Sequence, residues 1–393
     1  MSDLLSVFKN RQFQNIAVCH FNTTFSTSLI APVLPVFLAG KGFAETQIGL
    51  IMGATAIAAL ALRPWIGVQV DTRGSRPVLL LGQVFMLLSI IGLPWAKGIL
   101  AYVGLRALYG VAIAFYGTGA VTFASGIGTG KTNSNAIAMY TLMTMIGLGL
   151  SMSFAQVFFD SYGFTVLVLS AVAMIAVAFC VMKFRADSYK VPSDRSRNEP
   201  FLAVLKKKAV LATSVGQFGA SFIFGALFTY VPLAAIQSGI TFYSFFFIAF
   251  AISVVISRFF VQRIIEGLGL EKTCVYSYAA ILLGVGFLIF PLSPVILIMT
   301  GLAYGVGLGI AFPAFVILVV QRIGTANRGT ALGILIAAGD IAMALSVSIL
   351  GGIAEHFGYF YLFLAATVAM AVCMVLFCTL LYSKDEMRPK TPA

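Results

Sequence analysis

About twelve apolar stretches, each close to 20 residues long, follow one another along this chain. The hydrocarbon core of a bilayer is about 30 Å thick, and an α-helix of about 20 residues crosses it. Only 10% of the residues are charged, against about 25% in soluble domains, so the chain cannot shield these stretches from water. They are continuous and do not alternate with polar residues, which excludes a transmembrane β-barrel. The sequence predicts an all-α membrane protein with twelve transmembrane helices, at about 12–38, 46–69, 77–96, 98–122, 134–158, 163–184, 209–234, 241–264, 273–291, 294–319, 328–353 and 358–382.

Lysine and arginine are distributed unevenly among the loops between these helices. If the N-terminus is cytoplasmic, twenty of the 25 basic residues lie in cytoplasmic segments, only Lys41 and Lys97 lie outside, and Arg63, Arg106 and Arg258 lie within helices. Cytoplasmic loops of membrane proteins carry such an excess of Lys and Arg. We therefore predict a multi-pass protein of the bacterial inner membrane with both termini in the cytoplasm. The net charge of +12 is spread over short loops, so it does not indicate nucleic-acid binding.

The two halves of the chain resemble each other at a nearly fixed offset. Near the first helix of each half the offset is 197 residues, and beyond it the offset is 195. The sequence therefore predicts two parallel six-helix repeats, residues 1–184 and 209–393, joined by a cytoplasmic linker at 185–208. Parallel repeats build a central site between two bundles that rock against each other. The matching pairs include Pro35 with Pro232, Gly42 with Gly239, Arg63 with Arg258, Asp71 with Glu266, Gly74 with Gly269, Tyr109-Gly110-Val111 with Tyr304-Gly305-Val306, and Gly163 with Gly358.

The loop after the second predicted helix, at 67–76, reads Gly-Val-Gln-Val-Asp-Thr-Arg-Gly-Ser-Arg. It resembles the signature G-x-L-x-D-R-x-G-R-[RK] of the major facilitator superfamily, with departures at Gln69, Thr72 and Ser75. A decayed second copy at 262–271 keeps an acid and a glycine. With the twelve helices and the two repeats, the resemblance extends over nearly the whole chain and implies solute transport by alternating access. The matching residues are Gly67, Asp71, Gly74 and Arg76 in the first copy, and Glu266 and Gly269 in the second.

The resemblance implies that this loop is a cytoplasmic gate. Asp71 would face the positive N-terminal end of the eleventh helix near Asn327, and Arg73 and Arg76 would pair with cytoplasmic carboxylates. Such contacts close one side of a transporter and break when the halves move. The plainer alternative is a charged loop that only sets the topology. The predicted gate residues are Gly67, Asp71, Arg73, Gly74, Arg76 and Glu266.

Two charged residues lie inside predicted helices where charge is costly. Arg106-Ala-Leu-Tyr-Gly110 resembles the R-x-x-x-G motif of proton-coupled members of the superfamily, with Tyr109 in place of the commoner Gln. A charge within a span costs several kcal/mol unless it is paired or hydrated, although Arg106 could also reach the outer headgroups. Asp340 is the only carboxylate deep within a predicted helix. We expect Asp340 to carry the exchanged proton or to bind a substrate charge, the alternative being a structural hydrogen-bond partner.

A polar cluster in the first helix is not explained by contact with lipid. His20 begins it, and this residue type in a helix is either a packing residue held by hydrogen bonds or a proton carrier. The residues predicted to line a substrate cavity are Asn22, Thr23, Thr27, Tyr109, Gln217, Tyr230 and Tyr304.

These features favour a secondary transporter that exports a small amphiphilic or zwitterionic organic solute, such as a drug, a metabolite or a metal chelator, in exchange for protons. Proton-coupled uptake is the alternative, since residues 147–153 lack the Gly-Pro motif usual in antiporters of the superfamily. A membrane receptor without transport is a third class. No nucleophile, base and acid can be grouped from a chain with two histidines, so we predict no enzymatic activity, no metal site and no cofactor. One chain with two repeats suffices for transport, so the predicted unit is a monomer that contacts lipid, protons and a small solute.

Overall fold

A computed structural model describes residues 10–125, 127, 131–185, 201–323 and 328–382 of the chain, and this part is almost entirely helical. The chain divides into two compact units, Met1–Ser193 and Asp194–Ala393. The boundary between them falls within 186–200, so most of the predicted linker lies outside the described residues.

The N-terminal unit contains six helical elements that form six spans. The first span is built from two helices separated by a short turn at Ala31 and Pro32, where the proline starts the second helix. The Asn10 side chain caps the first helix by accepting hydrogen bonds from the backbone N–H groups of Gln12 and Phe13. The helices are α1 (Arg11–Ile30), α2 (Val33–Gly40), α3 (Glu45–Arg73), α4 (Ser75–Ile91), α5 (Gly98–Ser125) and α6 (Lys131–Arg185).

Helix α6 is too long for a single span. Its 55 residues would extend over roughly 80 Å at 1.5 Å per residue, more than twice the hydrocarbon thickness of a bilayer. At Gly163 the backbone leaves the helical conformation, with φ 76° and ψ 170°. The helix therefore turns there, and its two parts are the fifth and sixth spans.

The C-terminal unit supplies the other six spans. Its helices are α7 (Phe201–Leu205), α8 (Lys208–Gln237), α9 (Ser244–Leu268), α10 (Leu270–Gly286), α11 (Pro294–Ile323), α12 (Arg328–Phe357) and α13 (Tyr359–Leu381). Within the described residues, eleven helical segments are long and apolar enough to cross a membrane, and one of them is the broken segment 142–185. The prediction of an all-α protein with twelve spans is confirmed.

The backbone also confirms the internal repeat. Three pairs of glycines matched by the sequence offsets all adopt positive φ angles: 86° and 77° at Gly42 and Gly239, 87° and 82° at Gly74 and Gly269, and 76° and 88° at Gly163 and Gly358. Only glycine adopts this backbone conformation without steric cost. Helices α4 and α10 each have 17 residues and begin 195 residues apart. The two units therefore repeat the same chain reversals at the same positions.

In each unit, the second and fourth spans pack closely through a glycine. A Cβ placed on Gly110 of α5 would lie 2.1 Å from the carbonyl oxygen of Thr55 in α3. A Cβ on Gly305 of α11 would lie 2.0 Å from the Ser253 hydroxyl oxygen in α9 and 2.7 Å from the Phe250 carbonyl oxygen. Small residues allow such close approach of helix backbones in a bilayer. These contacts fix the helices that carry the candidate site.

Candidate functional site

Arg106 lies on α5, roughly 12 Å from the start of that helix at 1.5 Å per residue. Its guanidinium carbon is 4.8 Å from the centre of the Tyr109 ring, one turn further along the helix. Among the described residues, no hydrogen bond or ion pair reaches the guanidinium, and its Nε is buried. The Thr55 hydroxyl donates to the Arg106 carbonyl oxygen at 3.1 Å and ties this turn to α3. The structure therefore holds a cation against an aromatic face without neutralising it.

The guanidinium opens on a narrow recess inside the N-terminal unit. The recess is formed by α1, α4 and α5 together with Leu93, which lies just beyond the end of α4. Thr27 comes from α1, as the sequence predicted, whereas Ser89 from α4 is a residue that the sequence did not single out. The recess is lined by Thr27, Ile30, Ser89, Ile90, Leu93, Leu105, Arg106 and Tyr109.

His20 is placed by contacts on every side of its ring. Its Nδ1 lies 3.0 Å from the Tyr116 hydroxyl and its Nε2 lies 2.6 Å from the Thr144 hydroxyl. The ring stacks on Tyr140 with 4.0 Å between ring centres. Thr144 also lies 3.1 Å from the Tyr140 carbonyl oxygen, to which its hydroxyl can donate. Both ring nitrogens of His20 thus have hydroxyl partners inside the helix packing, and these contacts favour the packing interpretation of His20.

The other polar residues of α1 are placed differently from one another. The Asn22 amide donates to the Val18 carbonyl oxygen at 2.9 Å within the helix. Thr23 is only 1% exposed, and its hydroxyl accepts from the Gln83 amide at 3.3 Å. Three residues of this helix, Asn22, Thr23 and Thr27, were predicted to line a cavity. Only Thr27 lines the recess beside Arg106.

In the C-terminal unit, Asp340 lies near the middle of α12, in the thirteenth of 30 residues. One of its carboxylate oxygens, Oδ2, is buried. The preceding residue, Gly339, faces α8: a Cβ there would lie 2.8 Å from the Ser221 hydroxyl oxygen and 3.1 Å from the Gln217 amide nitrogen. The Gln217 amide donates to Ser221 at 2.8 Å. This glycine therefore allows a polar pair of α8 to approach the turn of α12 that carries the acid.

Two predicted cavity residues lie in the helix packing of the C-terminal unit. Tyr230 and Tyr304 are both 0% exposed. The Tyr230 hydroxyl donates to the Val347 carbonyl oxygen, and the Tyr304 hydroxyl donates to the Ala220 carbonyl oxygen at 3.3 Å. Each joins α8 to a neighbouring helix. Tyr109, the repeat partner of Tyr304, faces the recess instead, so this matched pair of positions has different roles in the two repeats.

The first copy of the signature loop forms a contact that the sequence did not predict. Arg73 ends α3 and is exposed, and Gly74 makes the turn into α4. Arg76 was expected to pair with a carboxylate, but its guanidinium donates to the Lys183 carbonyl oxygen at the end of α6. The reason is that the last carbonyls of a helix have no partner within the helix and attract cations. The surroundings of Gly67 and of the Asp71 side chain lie outside what the structure describes, and so does Asn327.

A second side chain binds the same helix end. The Asn15 amide of α1 donates to the Arg185 carbonyl oxygen at 2.7 Å. Together, Asn15 and Arg76 cap the last turn of α6 from two different helices. We call this arrangement the α6 clamp.

The second copy of the loop carries an ion pair. Glu266 is exposed and accepts from the Gln262 amide at 3.0 Å in its own helix. Glu271, at the start of α10, pairs with Arg322 at the end of α11, with 2.5 Å between the Oε1 and Nη2 atoms. Glu271 occupies the position that matches Arg76 at the 195-residue offset. This match is the sequence feature that could have indicated a contact at Glu271. Both residues fasten a helix start to a helix end within their own unit, but with opposite charge.

Comparison with known proteins identifies the class. The family model of the Major Facilitator Superfamily matches residues 16–347 and 250–393. The chain belongs to this superfamily and is a multi-pass membrane transporter.

Particular relatives share most of its length. It is 24% identical over 370 residues to the "Staphylopine export protein" of Staphylococcus aureus (strain Mu50 / ATCC 700699), covering 90% of this chain and 92% of that protein. It is 21% identical over 379 residues to the "Uncharacterized MFS-type transporter YhhS" of Escherichia coli (strain K12), covering 93% and 92%.

Solved structures show the same fold at low identity. A bacterial homologue of the human lysosomal transporter Spinster, inward-facing and unoccupied, superposes with a TM-score of 0.78 at 12% identity, covering 96% of this chain and 98% of that one. The nucleoside transporter NupG gives a TM-score of 0.71 at 15% identity, covering 95% and 100%.

Proposed function

We propose that this protein exports a small amphiphilic or zwitterionic organic solute in exchange for protons, by alternating access. It does so as a monomer in the bacterial inner membrane, with both termini in the cytoplasm and with no cofactor beyond the proton gradient. The solute is a drug, a metabolite or a metal chelator. The uneven distribution of Lys and Arg among the loops supports this orientation.

The observation that carries the proposal is that the Arg106 guanidinium has no acidic partner among the described residues. The guanidinium sits in a membrane-spanning helix beside a recess. A charge kept in such a place without a partner costs several kcal/mol. A transporter tolerates this energetic cost when the solute itself supplies the missing anionic group. The guanidinium is then paired only while the solute is bound. Arg106 is thus assigned to the anionic group of the solute.

Asp340 is assigned to the proton. It lies in the middle of α12, where its carboxylate is far from either end of the helix and one of its oxygens is buried. A carboxyl group takes up and releases one proton, and we assign that exchange to Asp340 when the solute binds. Export is further supported by the relative whose name describes it as an export protein.

Proton-coupled uptake is the second candidate. The observation that favours it is the stretch 147–153 in α6, which has glycines but no proline. Uptake needs the same fold and the same two charged residues, so the direction of proton movement distinguishes the two.

The test is the accumulation of a fluorescent amphiphilic dye in bacteria that lack their own efflux pumps. We expect cells with the protein to accumulate less dye, and we expect this difference to vanish with a protonophore and in Asp340→Asn. Asp160→Asn is the matched control, since Asp160 is exposed and near the turn at Gly163. Unchanged accumulation with the protein verified in the membrane would reject multidrug export, and staphylopine would then be the next solute to test.

The direction is measured in inverted membrane vesicles with an acidic lumen. An exporter that exchanges solute for protons releases protons from the lumen when solute is added outside, and a pH-sensitive dye reports this as recovery of fluorescence. A symporter gives no such recovery under the same gradient. Asp340→Asn vesicles serve as the blank for both cases.

A further inference from the structure

We propose that the C-terminal unit binds the phosphodiester headgroup of an anionic phospholipid in a cavity at the ends of three consecutive helices. The cavity lies where α9 ends, α10 begins and α11 ends. It contains neither Arg106 nor Asp340, so the site goes beyond the proposed transport activity. Its walls include Leu268, Leu270, Glu271, Lys272, Gln321 and Arg322.

The cavity is large enough for a lipid headgroup. Its volume is about 270 Å³, close to the lower limit of about 300 Å³ for pockets that bind small organic ligands. Leu268, Lys272 and Gln321 are exposed, so the cavity opens to the surface of the unit. A ligand can therefore reach it without any rearrangement of the helices.

The polar part of the wall carries an excess of positive charge. Two basic residues and one acid line the cavity, which leaves a net charge of +1. The acid, Glu271, is paired with Arg322. Lys272 is exposed, and among the described residues no carboxylate pairs with its ammonium group. A phosphodiester carries one negative charge, and its oxygens accept charge-assisted hydrogen bonds from an ammonium group, so its charge matches that of the cavity.

The remaining wall is apolar. Leu268, Leu270 and Leu318 line the cavity beside the charged residues, and Leu268 is 46% exposed. A free phosphate would gain nothing from these side chains, whereas the first carbons of an acyl chain would bury apolar surface against them. The cavity therefore suits an amphiphile with an anionic head.

Two exposed tyrosines place the cavity at the level of the membrane surface. Tyr276 lies one turn beyond Lys272 on α10, and Tyr382 follows the end of α13. Tyr382 is close enough to Glu271 and Tyr276 to interact electrostatically with both. Tyrosine is enriched at the two membrane–water interfaces, and the distribution of Lys and Arg predicts that this interface is the cytoplasmic one. Basic pockets between transmembrane helices on that side bind anionic lipid headgroups.

The internal repeat shows that the two cations belong to the second half of the chain alone. At the 195-residue offset, Lys272 matches Pro77 and Arg322 matches Ile127. The N-terminal unit therefore has no basic residue at either matching position. The proposed site is a property of this C-terminal unit and not of the signature loop as such.

The experiment is a titration of the delipidated full-length protein in a neutral detergent, with bound lipid counted by native mass spectrometry. The probes are phosphatidylglycerol, phosphatidylethanolamine and diacylglycerol with the same acyl chains, and glycerol phosphate, which has no chains. We expect phosphatidylglycerol to bind about fivefold more tightly than phosphatidylethanolamine, whose ammonium group cancels the phosphate charge. Diacylglycerol and glycerol phosphate should not displace it.

Three variants locate the effect. Lys272→Gln removes one positive charge from the cavity and should weaken phosphatidylglycerol about fivefold, so that the preference over phosphatidylethanolamine is lost. Lys272→Arg keeps the charge and should bind like the wild type. Lys206→Gln is the matched control, because Lys206 is also an exposed lysine of the C-terminal unit but does not line the cavity. Its preference should equal that of the wild type.

Equal weakening by Lys272→Gln and Lys206→Gln would overturn the proposal, because the lipid would then respond to the overall charge of +12 and not to a site. Displacement of the lipid by glycerol phosphate at a similar concentration would also overturn it and identify a free phosphate ester as the ligand. Both lysines are exposed, so the variants should fold, and their melting temperatures check this. The titration contains no solute and no proton gradient, so its outcome and that of the export assay are independent.

Discussion

Substitution of Gly110 by alanine should separate α5 from α3 and destabilise the N-terminal unit. The added Cβ would lie 2.1 Å from the Thr55 carbonyl oxygen and 3.0 Å from the Ala58 Cβ. The first of these contacts is with backbone, so no side-chain rotation relieves it and the helices themselves must move. Overpacking of this kind costs about 1–3 kcal/mol, and the loss of the close approach also disturbs the turn that carries Arg106.

The matched control is Gly104→Ala in the same helix. A Cβ there would meet nothing within 4 Å, and replacing a helical glycine by alanine stabilises by about 0.5–1 kcal/mol. The two variants should therefore differ by about 1.5–4 kcal/mol, which corresponds to about 3–16 °C in melting temperature for a unit of this size. The assay is thermal unfolding of the purified protein in detergent at one fixed scan rate, since such unfolding is often irreversible. Equal melting temperatures for the two variants would refute the close packing of α3 and α5.

Two further predictions concern contacts within a single unit. The Glu271–Arg322 pair is partly exposed, with side-chain exposures of 36% and 19%. A double-mutant cycle of Glu271→Gln and Arg322→Gln should therefore give a coupling free energy of only about 0.5–1 kcal/mol that falls in high salt. A coupling free energy that salt does not change would contradict this pairing. His20→Ala should lower stability by about 2–4 kcal/mol, because it removes a buried ring stacked on Tyr140 and takes one hydrogen-bond partner from the Tyr116 and Thr144 hydroxyls. Its residual export should keep the wild-type dependence on pH, and a shifted pH profile would instead make His20 a proton carrier.

Much of the fold could be predicted because lipid imposes a simple rule on the sequence. The lengths of the apolar stretches predicted the twelve spans, and the 195-residue offset predicted the internal repeat. The positive φ angles of the paired glycines confirm that repeat. The ends of the helices were less predictable. Helix α3 was expected to end near 69 but continues to Arg73, because a helix that leaves the bilayer can continue with polar residues in its last turn. Residues 159–162 were expected to form a loop, yet they are helical up to the turn at Gly163.

The candidate site could be predicted in part. Polar residues stand out in an apolar helix, and this signal found Thr27, Tyr109 and Arg106, which the recess brings together. It missed Ser89, because a serine that bonds to its own helix is ordinary in a membrane span. It also selected Tyr230 and Tyr304 for a cavity, although both hydroxyls are used in packing, since the identity of a residue does not reveal which side of the helix it occupies.

Contacts with backbone atoms were beyond the reach of the sequence. Arg76 and Asn15 bind carbonyl oxygens, which every residue has, so no complementary residue type marks the position. A carboxylate partner for Arg76 was the natural expectation from charge alone. Only the folded chain shows that the end of α6 is the site where the two side chains meet.

The α6 clamp bears on what would happen if the polypeptide were cut. Helix α6 is the last described helix of the N-terminal unit, and the carbonyl oxygens of Lys183 and Arg185 at its end accept hydrogen bonds from α4 and α1 of the same unit. The last turn therefore does not depend on continuity of the chain beyond Arg185. A proteolytic nick between the two units should leave that helix end intact, and residues 1–193 produced as a separate polypeptide should keep all six of their spans. Severing the chain between the units should therefore leave the N-terminal unit folded, and thermal unfolding of the 1–193 polypeptide would check this.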